Sequence, residues 1–282
     1  MKKGLVLEGG AMRGLFSAGV MDVMMEHQLL PDGIVGVSAG ACFGCNMKSG
    51  QKGRAIRYNK AFAHDARYSG VRSLLKSGDI FNAEFAYHVV PNEYDIFDTA
   101  AFEDSPIEYY VVCTDIVSGK PVYKLCDKGG DWLFEWIRAS ASMPIVSNVV
   151  ELDGYKLLDG GMVDSIPLQF FESVGYDANV VVLTQPMGYV KKESPIVPLM
   201  KLKYGKYPHL VDVMANRHVM YNSQLEYVAK AEAEGRCVVI RPEAPLEIGH
   251  ISHNPDDMER VYQEGRKAGE EKIRDIAKLW KV

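Results

Sequence analysis

Apolar positions along the chain alternate between a strand period and a helix period. Gly4 to Leu7 is a short apolar run closed by Glu8-Gly9-Gly10, which reads as a buried strand feeding a glycine loop. From Arg13 to Leu30 the spacing turns helical: Phe16, Val20, Val23 or Met24, and His27 or Gln28 share a face, and Pro31-Asp32-Gly33 closes the segment. Gly33 to Val37 is again a short buried strand, and Ala39 to Met47, past Ser38, a tightly packed helix of small residues. Strand, glycine loop, helix and strand in this order form a βαβ unit, which implies a parallel sheet and a right-handed crossover.

Residues 50–105 carry no clear strand; short helical pieces rich in Tyr, Phe and Arg, broken at Gly70 and Gly78, predict helical decoration near Ser38. Sheet resumes at Glu108 to Asp115, and the turn Ser118-Gly119-Lys120-Pro121 makes a hairpin with Val122 to Leu125. Asp131 to Ser140 reads as a helix with Trp132, Trp136 and Ala139 on one side, ending before Pro144. Glu151 to Leu158 reads as two short strands around an Asp153-Gly154 turn. Ala178 to Thr184 and Arg236 to Arg241 are further strands, with a long helix from Pro208 to Ala233 between them. The last helix opens with Asn254 as cap, Pro255 in the first turn, and Asp256 and Asp257 at the positive end of the dipole.

Composition narrows this picture without changing it. The 282 residues, 47% of them hydrophobic, suffice for one large α/β domain or two small ones. With no repeat, linker or composition break, 1–282 reads as a single domain with a helical C-terminal segment from about 208. A net charge of −5 gives no reason to expect nucleic acid as a partner. Five cysteines, an odd number, argue for a reducing compartment. The first apolar run stops at Glu8, too soon for a signal peptide, and no stretch is long enough to span a bilayer. The expectation is a cytoplasmic protein with at most peripheral membrane contact.

Candidate chemistry centres on Gly36-Val37-Ser38-Ala39-Gly40. A serine between glycines two residues either side fits a strained strand-to-helix turn that exposes its hydroxyl above a helix N-terminus. An ordinary turn that happens to contain serine fits the five residues equally. Upstream, Glu8-Gly9-Gly10-Ala11-Met12-Arg13-Gly14 can present backbone amides to an oxyanion. As a nucleotide loop it lacks the second glycine of G-x-G-x-x-G and the Lys-Ser/Thr pair of a Walker loop. Downstream, Asp159-Gly160-Gly161 sits at a strand end, where a carboxylate can reach across the top of a parallel sheet; an Asp-Gly turn is the other reading. The small residues of Arg138 to Pro144 suggest a helix end lining the site rather than acting in it.

Together these segments resemble the patatin-like phospholipase family over most of the chain. Gly9 to Gly14 is similar to its oxyanion loop, Gly36 to Gly40 to its nucleophile elbow, and Asp159-Gly160-Gly161 to its catalytic aspartate motif. Ala139 to Pro144 and Val163 to Leu168 match further blocks in the same order, while Ala11 stands where many members carry a third glycine. The resemblance implies a three-layer α/β/α fold with a mostly parallel central sheet, and a Ser38-Asp159 dyad without histidine, metal or cofactor. Ser38 would attack an acyl ester, Asp159 would take its proton, and amides near Gly10 and Ala11 would hold the oxyanion. An aspartate with an ordinary pKa of about 3.9 is a weak base for serine, so desolvation or a strong oxyanion site is required. Arg13 could orient the loop or attract an anionic head group. His209, His218, His250 and His253 each read as surface or capping residues rather than a base.

Other features read as packing. Cys42 and Cys45, a C-x-x-C on the helix after the serine, have no second ligand pair, and Met21, Met24 and Met25 suit a core. Residues 189–207 interleave Lys191, Lys192, Lys201, Lys203 and Lys206 with apolar residues, which suits either an anionic lipid surface or a solvated loop and helix. The expected function is hydrolysis of a lipid or other acyl ester. A thioesterase, or a non-catalytic lipid-binding or regulatory protein on the same fold, are the alternatives.

Overall fold

The computed structural model describes residues 1–282. The first unit is β1 (Lys3–Leu7), α1 (Gly14–Glu26) and β2 (Gly33–Val37), with α2 (Ala39–Lys48) starting directly after Ser38. α1 stops a turn earlier than its apolar spacing suggests. Gln28 takes a left-handed φ of 56°, and the Leu29 N–H turns back to the Met24 carbonyl. Residues 50–105 hold the expected helical pieces: α3 (Arg54–Ala61), α4 (Val71–Ser77), a π-helical stretch Phe85–Tyr94 and α5 (Thr99–Asp104). The chain then makes β3 (Glu108–Asp115), β4 (Lys120–Leu125), α6 (Gly130–Ala141), β5 (Val150–Leu152) and β6 (Tyr155–Asp159). It ends with α7 (Leu168–Ser173), β7 (Ala178–Val182), α8 (Val197–Tyr204), α9 (Pro208–Ala233), β8 (Cys237–Ile240) and α10 (Pro255–Trp280).

The strands form one sheet in the order β5-β6-β3-β2-β1-β7-β8, with β4 also paired to β3. Pairing is parallel from β3 through β8 and antiparallel at β4, β6 and β5. Side chains alternate between two cores, as the pleat requires. Leu5 and Leu7 of β1, with Tyr109 and Val111 of β3, face the layer of α1, α2, α6 and α10. Val6, Val35, Val37 and Val112 face the opposite layer, with α7 and α9. The result is the expected α/β fold with a mostly parallel central sheet.

The C-terminal helix is built into the first unit. A Cβ on Gly19 of α1 would stand 2.2 Å from the Tyr262 carbonyl oxygen, and one on Gly265 2.0 Å from that of Phe16. Only glycine permits this approach of α10 to α1, and the Tyr262 hydroxyl then donates to the buried Asp22 carboxylate at 2.6 Å.

One feature of the sheet positions the site. β4 occupies one flank of β3, where Val112 pairs with Tyr123 and Cys113 with Val122. On the other flank β2 pairs up to Val37 with Val112, and antiparallel β6 takes over with Asp159 opposite Cys113. β2 and β6 therefore run towards each other along one edge of β3 and meet tip to tip. Ser38 and Asp159 are the residues at the two tips.

Candidate active site

Ser38 occupies the strained position that its flanking glycines suggest, with φ 54° and ψ −119°. Such a conformation persists only where the surroundings enforce it. Here they do: Gly36 packs against the backbone of Gly40 and Ala41, and a Cβ on Gly40 would lie 2.5 Å from the Leu7 carbonyl oxygen. The turn is fixed from a third side by Ser140 of α6. Its hydroxyl accepts the Ser38 N–H at 2.8 Å and donates to the Val112 carbonyl at 2.6 Å. The Arg138–Pro144 segment therefore does more than line the site, because Ser140 ties the elbow to β3.

Asp159 is as enclosed as Ser38, at 8% and 9% exposure. Its Oδ1 accepts the Gly161 N–H at 2.7 Å, and its own N–H donates to the Ser142 carbonyl at 2.8 Å. Burial pushes the carboxyl above the ordinary aspartate value; the Arg217 guanidinium, the Gly161 amide and the Ser38 hydroxyl each pull it back. The Ser38 hydroxyl is the weakest of these influences. Gly160 lies so close to the Val112 carbonyl that a Cβ would stand 2.2 Å from it, and the Gly161 carbonyl accepts from Ser165 and Arg217.

The glycine loop runs beneath Ser38. Gly9 lies against it, a Cβ there falling 2.9 Å from the Ser38 Cβ. The Gly9 carbonyl accepts the Thr184 hydroxyl and the Gly10 carbonyl the Arg13 N–H, while the N–H groups of Gly9 and Gly10 have no protein acceptor. Ala11 adopts a left-handed φ of 49°, a conformation that glycine takes without strain. Met12 is buried, and Gly14 starts α1 against Ala39 and Phe43. Glu8 anchors the loop from below: its buried carboxylate accepts the Tyr221 hydroxyl at 2.5 Å and the Thr184 N–H at 2.6 Å.

Two cavities open on Ser38. One, of about 100 Å³, is walled mainly by apolar side chains, among them Met12, Phe43, Phe81, Tyr87, Val90 and Ile137. The other, of about 340 Å³, is polar and reaches Asp159, Arg13, Lys191, Arg217, Tyr221 and His250. Ala11 and Met143 border both cavities.

Several of these residues are placed otherwise than their sequence context suggests. His250 is no remote loop histidine: it lines the polar cavity and its Nε2 lies 3.3 Å from Arg13 Nη1. His253 bonds the Ala63 carbonyl, and His218 lies on α9 near Glu193. Lys191, read within a basic surface stretch, points inward, its ammonium 4.2 Å above the Tyr221 ring. Arg217 and Tyr221 carry no sequence signal beyond a helical run. Cys42 and Cys45 sit beside the apolar cavity, and burial pushes both thiols up to about 12, so neither is a ready nucleophile.

The chain is similar in sequence to several known proteins. An uncharacterised Escherichia coli protein, YjjU, is 27% identical over 98% of this chain and 78% of its own length. An uncharacterised NTE family protein of Mycobacterium tuberculosis is 32% identical over 63% of this chain and 48% of its own. Lysophospholipase nte1 of Aspergillus terreus is 25% identical over 97% of this chain, which spans only 18% of that much longer protein. Among solved structures, VipD from Legionella pneumophila aligns with a TM-score of 0.47 and 11% identity, over 99% of this chain and 67% of its own. Residues 207–281 match a domain of unknown function, DUF6363. Residues 5–171, from β1 through the Asp159 motif to α7, match the patatin-like phospholipase family, and the chain belongs to that family.

Proposed function

We propose that this protein is a serine acyl hydrolase acting on a lipid acyl ester, with Ser38 as nucleophile and Asp159 as its base. The observation that carries the reading is the tip-to-tip meeting of β2 and β6, which brings a strained serine to a buried aspartate between an apolar and a polar cavity. Family membership and the lysophospholipase among the relatives support the same reaction class.

The reaction proceeds in two balanced halves. Ser38 Oγ bonds to the ester carbonyl carbon while its proton passes to Asp159, whose desolvated carboxyl is a better base than an exposed one. The oxyanion lies against the free amides of the Gly9-Gly10 loop. The C–O bond to the alcohol then breaks and the leaving oxygen takes the proton from Asp159. Water, deprotonated by the same carboxylate, attacks the acyl-serine; the Ser38–acyl bond breaks, Ser38 recovers its proton, and a carboxylic acid leaves. The acyl chain lies in the apolar cavity.

Peripheral contact with an anionic lipid surface belongs to the same proposal. α8 exposes Leu199 and Leu202 beside Lys201 and Lys203, and Ile196 before it borders the polar cavity. α4 exposes Val71 and Leu75 beside Arg72 and Lys76. Both helices flank the 145–148 segment, α8 through Lys203 to the Ile145 carbonyl and α4 through the Ser77 carbonyl, which accepts the Asn148 side-chain amide. Liposome binding that weakens with salt and with Leu202→Glu is expected; salt-insensitive binding removes this part of the proposal.

A fluorophosphonate probe with a panel of p-nitrophenyl esters, lysophospholipids and acyl thioesters tests the enzyme reading. Labelling and turnover lost in Ser38→Ala are expected; turnover that survives the substitution refutes the dyad.

A further inference from the structure

The polar cavity carries three basic side chains, and no carboxylate forms an ion pair with any of them. Arg13 extends from the glycine loop, and its Nε is buried without a partner. Lys191 stands above the Tyr221 ring, and Arg217 on α9 donates its Nε to the Gly161 carbonyl. The two carboxyl groups that share the cavity are hydrogen-bonded elsewhere, Glu8 to Tyr221 and Thr184 and Asp159 to Gly161, and act on the cations only through space, Glu8 on Arg13 and Lys191 and Asp159 on Arg217. The cations repel one another across the cavity. Burial, helped by Arg217 and Arg13 and opposed by Glu8, lowers Lys191 to about 8, and burial first, then Arg13, Lys191 and Arg217, depresses His250. Like charges held together with an orphaned guanidinium donor are the arrangement an anionic group completes.

Building on the acyl-hydrolase reading, we infer that Arg13, Lys191 and Arg217 form a head-group subsite for a phosphomonoester, and that the substrate is a monoacyl glycerophosphate rather than a choline-bearing or neutral lipid. A phosphomonoester brings up to two negative charges to three cations. A quaternary ammonium would enter the same positive field, with Glu8 already bonded beneath it and the Tyr221 face already covered by Lys191. The apolar cavity takes the acyl chain on the other side of Ser38, so one ester spans both. The inference also gives the C-terminal segment of unknown function a task. Arg217 and Tyr221 come from α9, and His250 from the loop before α10, so residues 207–281 contribute one of the three cations and part of the wall on the head-group side of a cleft whose Ser38 lies in the first forty residues.

The test compares kcat/KM for lysophosphatidate, lysophosphatidylcholine and monoacylglycerol carrying one medium-length acyl chain, below their micelle concentrations. Lysophosphatidate is expected to lead each of the others by about tenfold or more, with most of the difference in KM. Lys191→Gln should cut that ratio about tenfold, and Arg13→Gln should act in the same direction. Equal rates on the three lipids, or a ratio that Lys191→Gln leaves unchanged, overturns the inference. A binding arm uses Ser38→Ala protein titrated with lysophosphatidate, with monoacylglycerol and with inorganic phosphate. Tighter binding of lysophosphatidate than of either, weakened by Lys191→Gln, is expected. Inorganic phosphate binding as tightly as the lysolipid assigns the cations to a free anion and overturns the head-group assignment. If no ester is turned over and Ser38 takes no fluorophosphonate, the acyl-hydrolase reading is what fails, and this binding arm still decides whether the three cations hold a phosphomonoester.

Discussion

The Ser38 amide donates to the Ser140 hydroxyl at 2.8 Å, so the Ser38 N–H is already committed within the elbow. On the proposed reading, that bond takes the Ser38 N–H out of the set of amides that could hold an oxyanion. Ser140→Ala strands two buried groups, the Ser38 N–H and the Val112 carbonyl. A loss of about 1–3 kcal/mol in stability is expected, with a fall in kcat from a looser elbow. Denaturant unfolding and ester turnover on the same preparation check both; unchanged stability would show that the bridge is dispensable.

Asp159→Asn keeps an acceptor for the Gly161 N–H and removes the base. The fold should survive while kcat drops by about 10²–10⁴. Thermal unfolding beside a kcat measurement separates the two effects, and a variant with wild-type kcat would eliminate Asp159 as the base.

Burial raises the Asp159 carboxyl above its model-compound value of 3.8, so the group stays protonated further up the pH scale than a solvated aspartate. A base must be ionised to work. Activity is therefore full on the alkaline side and lost as pH falls through the raised value. The acidic limb of the kcat/KM profile on a neutral ester should lie above the ordinary aspartate range and vanish from the residual activity of Asp159→Asn.

Lys191 titrates at about 8, faced by Arg217, Arg13, Glu8 and His250. It is charged below that pH and neutral above it. Any preference for an anionic over a neutral ester should hold below pH 8 and fade above it, more so in dilute salt, where charges act at longer range. Paired pH profiles on the two esters read this directly; a preference that rises through pH 8 contradicts the placement of Lys191.

Ala11 pays for its left-handed φ of 49° with steric strain of about 1–2 kcal/mol, which glycine would not incur. Glycine in turn loses more chain entropy on folding, about 0.4–1 kcal/mol. Ala11→Gly should come out neutral to about 1.6 kcal/mol more stable, with the loop's amides still in place. A clear loss of stability would mean that the Ala11 methyl group makes contacts worth more than the strain.

Much of the fold was legible in the sequence because apolar period and turn chemistry act locally. Asn254 caps α10 by accepting the Asp256 N–H, Asp153-Gly154 turns β5 into β6 with φ of 48° and 83°, and α9 spans Pro208–Ala233. The glycines of the elbow and loop were legible too, since at Gly36, Gly40, Gly10 and Gly14 a Cβ would fall within 3 Å of a neighbouring backbone or side-chain atom. Ser38 and Asp159 stood out as a strained turn and a strand end, but their meeting is a matter of register on β3, where Val37 stops opposite Val112 and Asp159 opposite Cys113. The rest of the site depended on tertiary structure altogether. Ser140 looked like one small residue among several, Lys191 like one lysine of a surface run, Arg217 like a helix charge and His250 like a loop histidine. No local pattern distinguishes a cation facing solvent from one facing a cavity. What turned Lys191, Arg217 and His250 inward is the packing of α9 and the loop before α10 over the sheet end, which joins residues some two hundred positions apart, as when Tyr221 bonds Glu8.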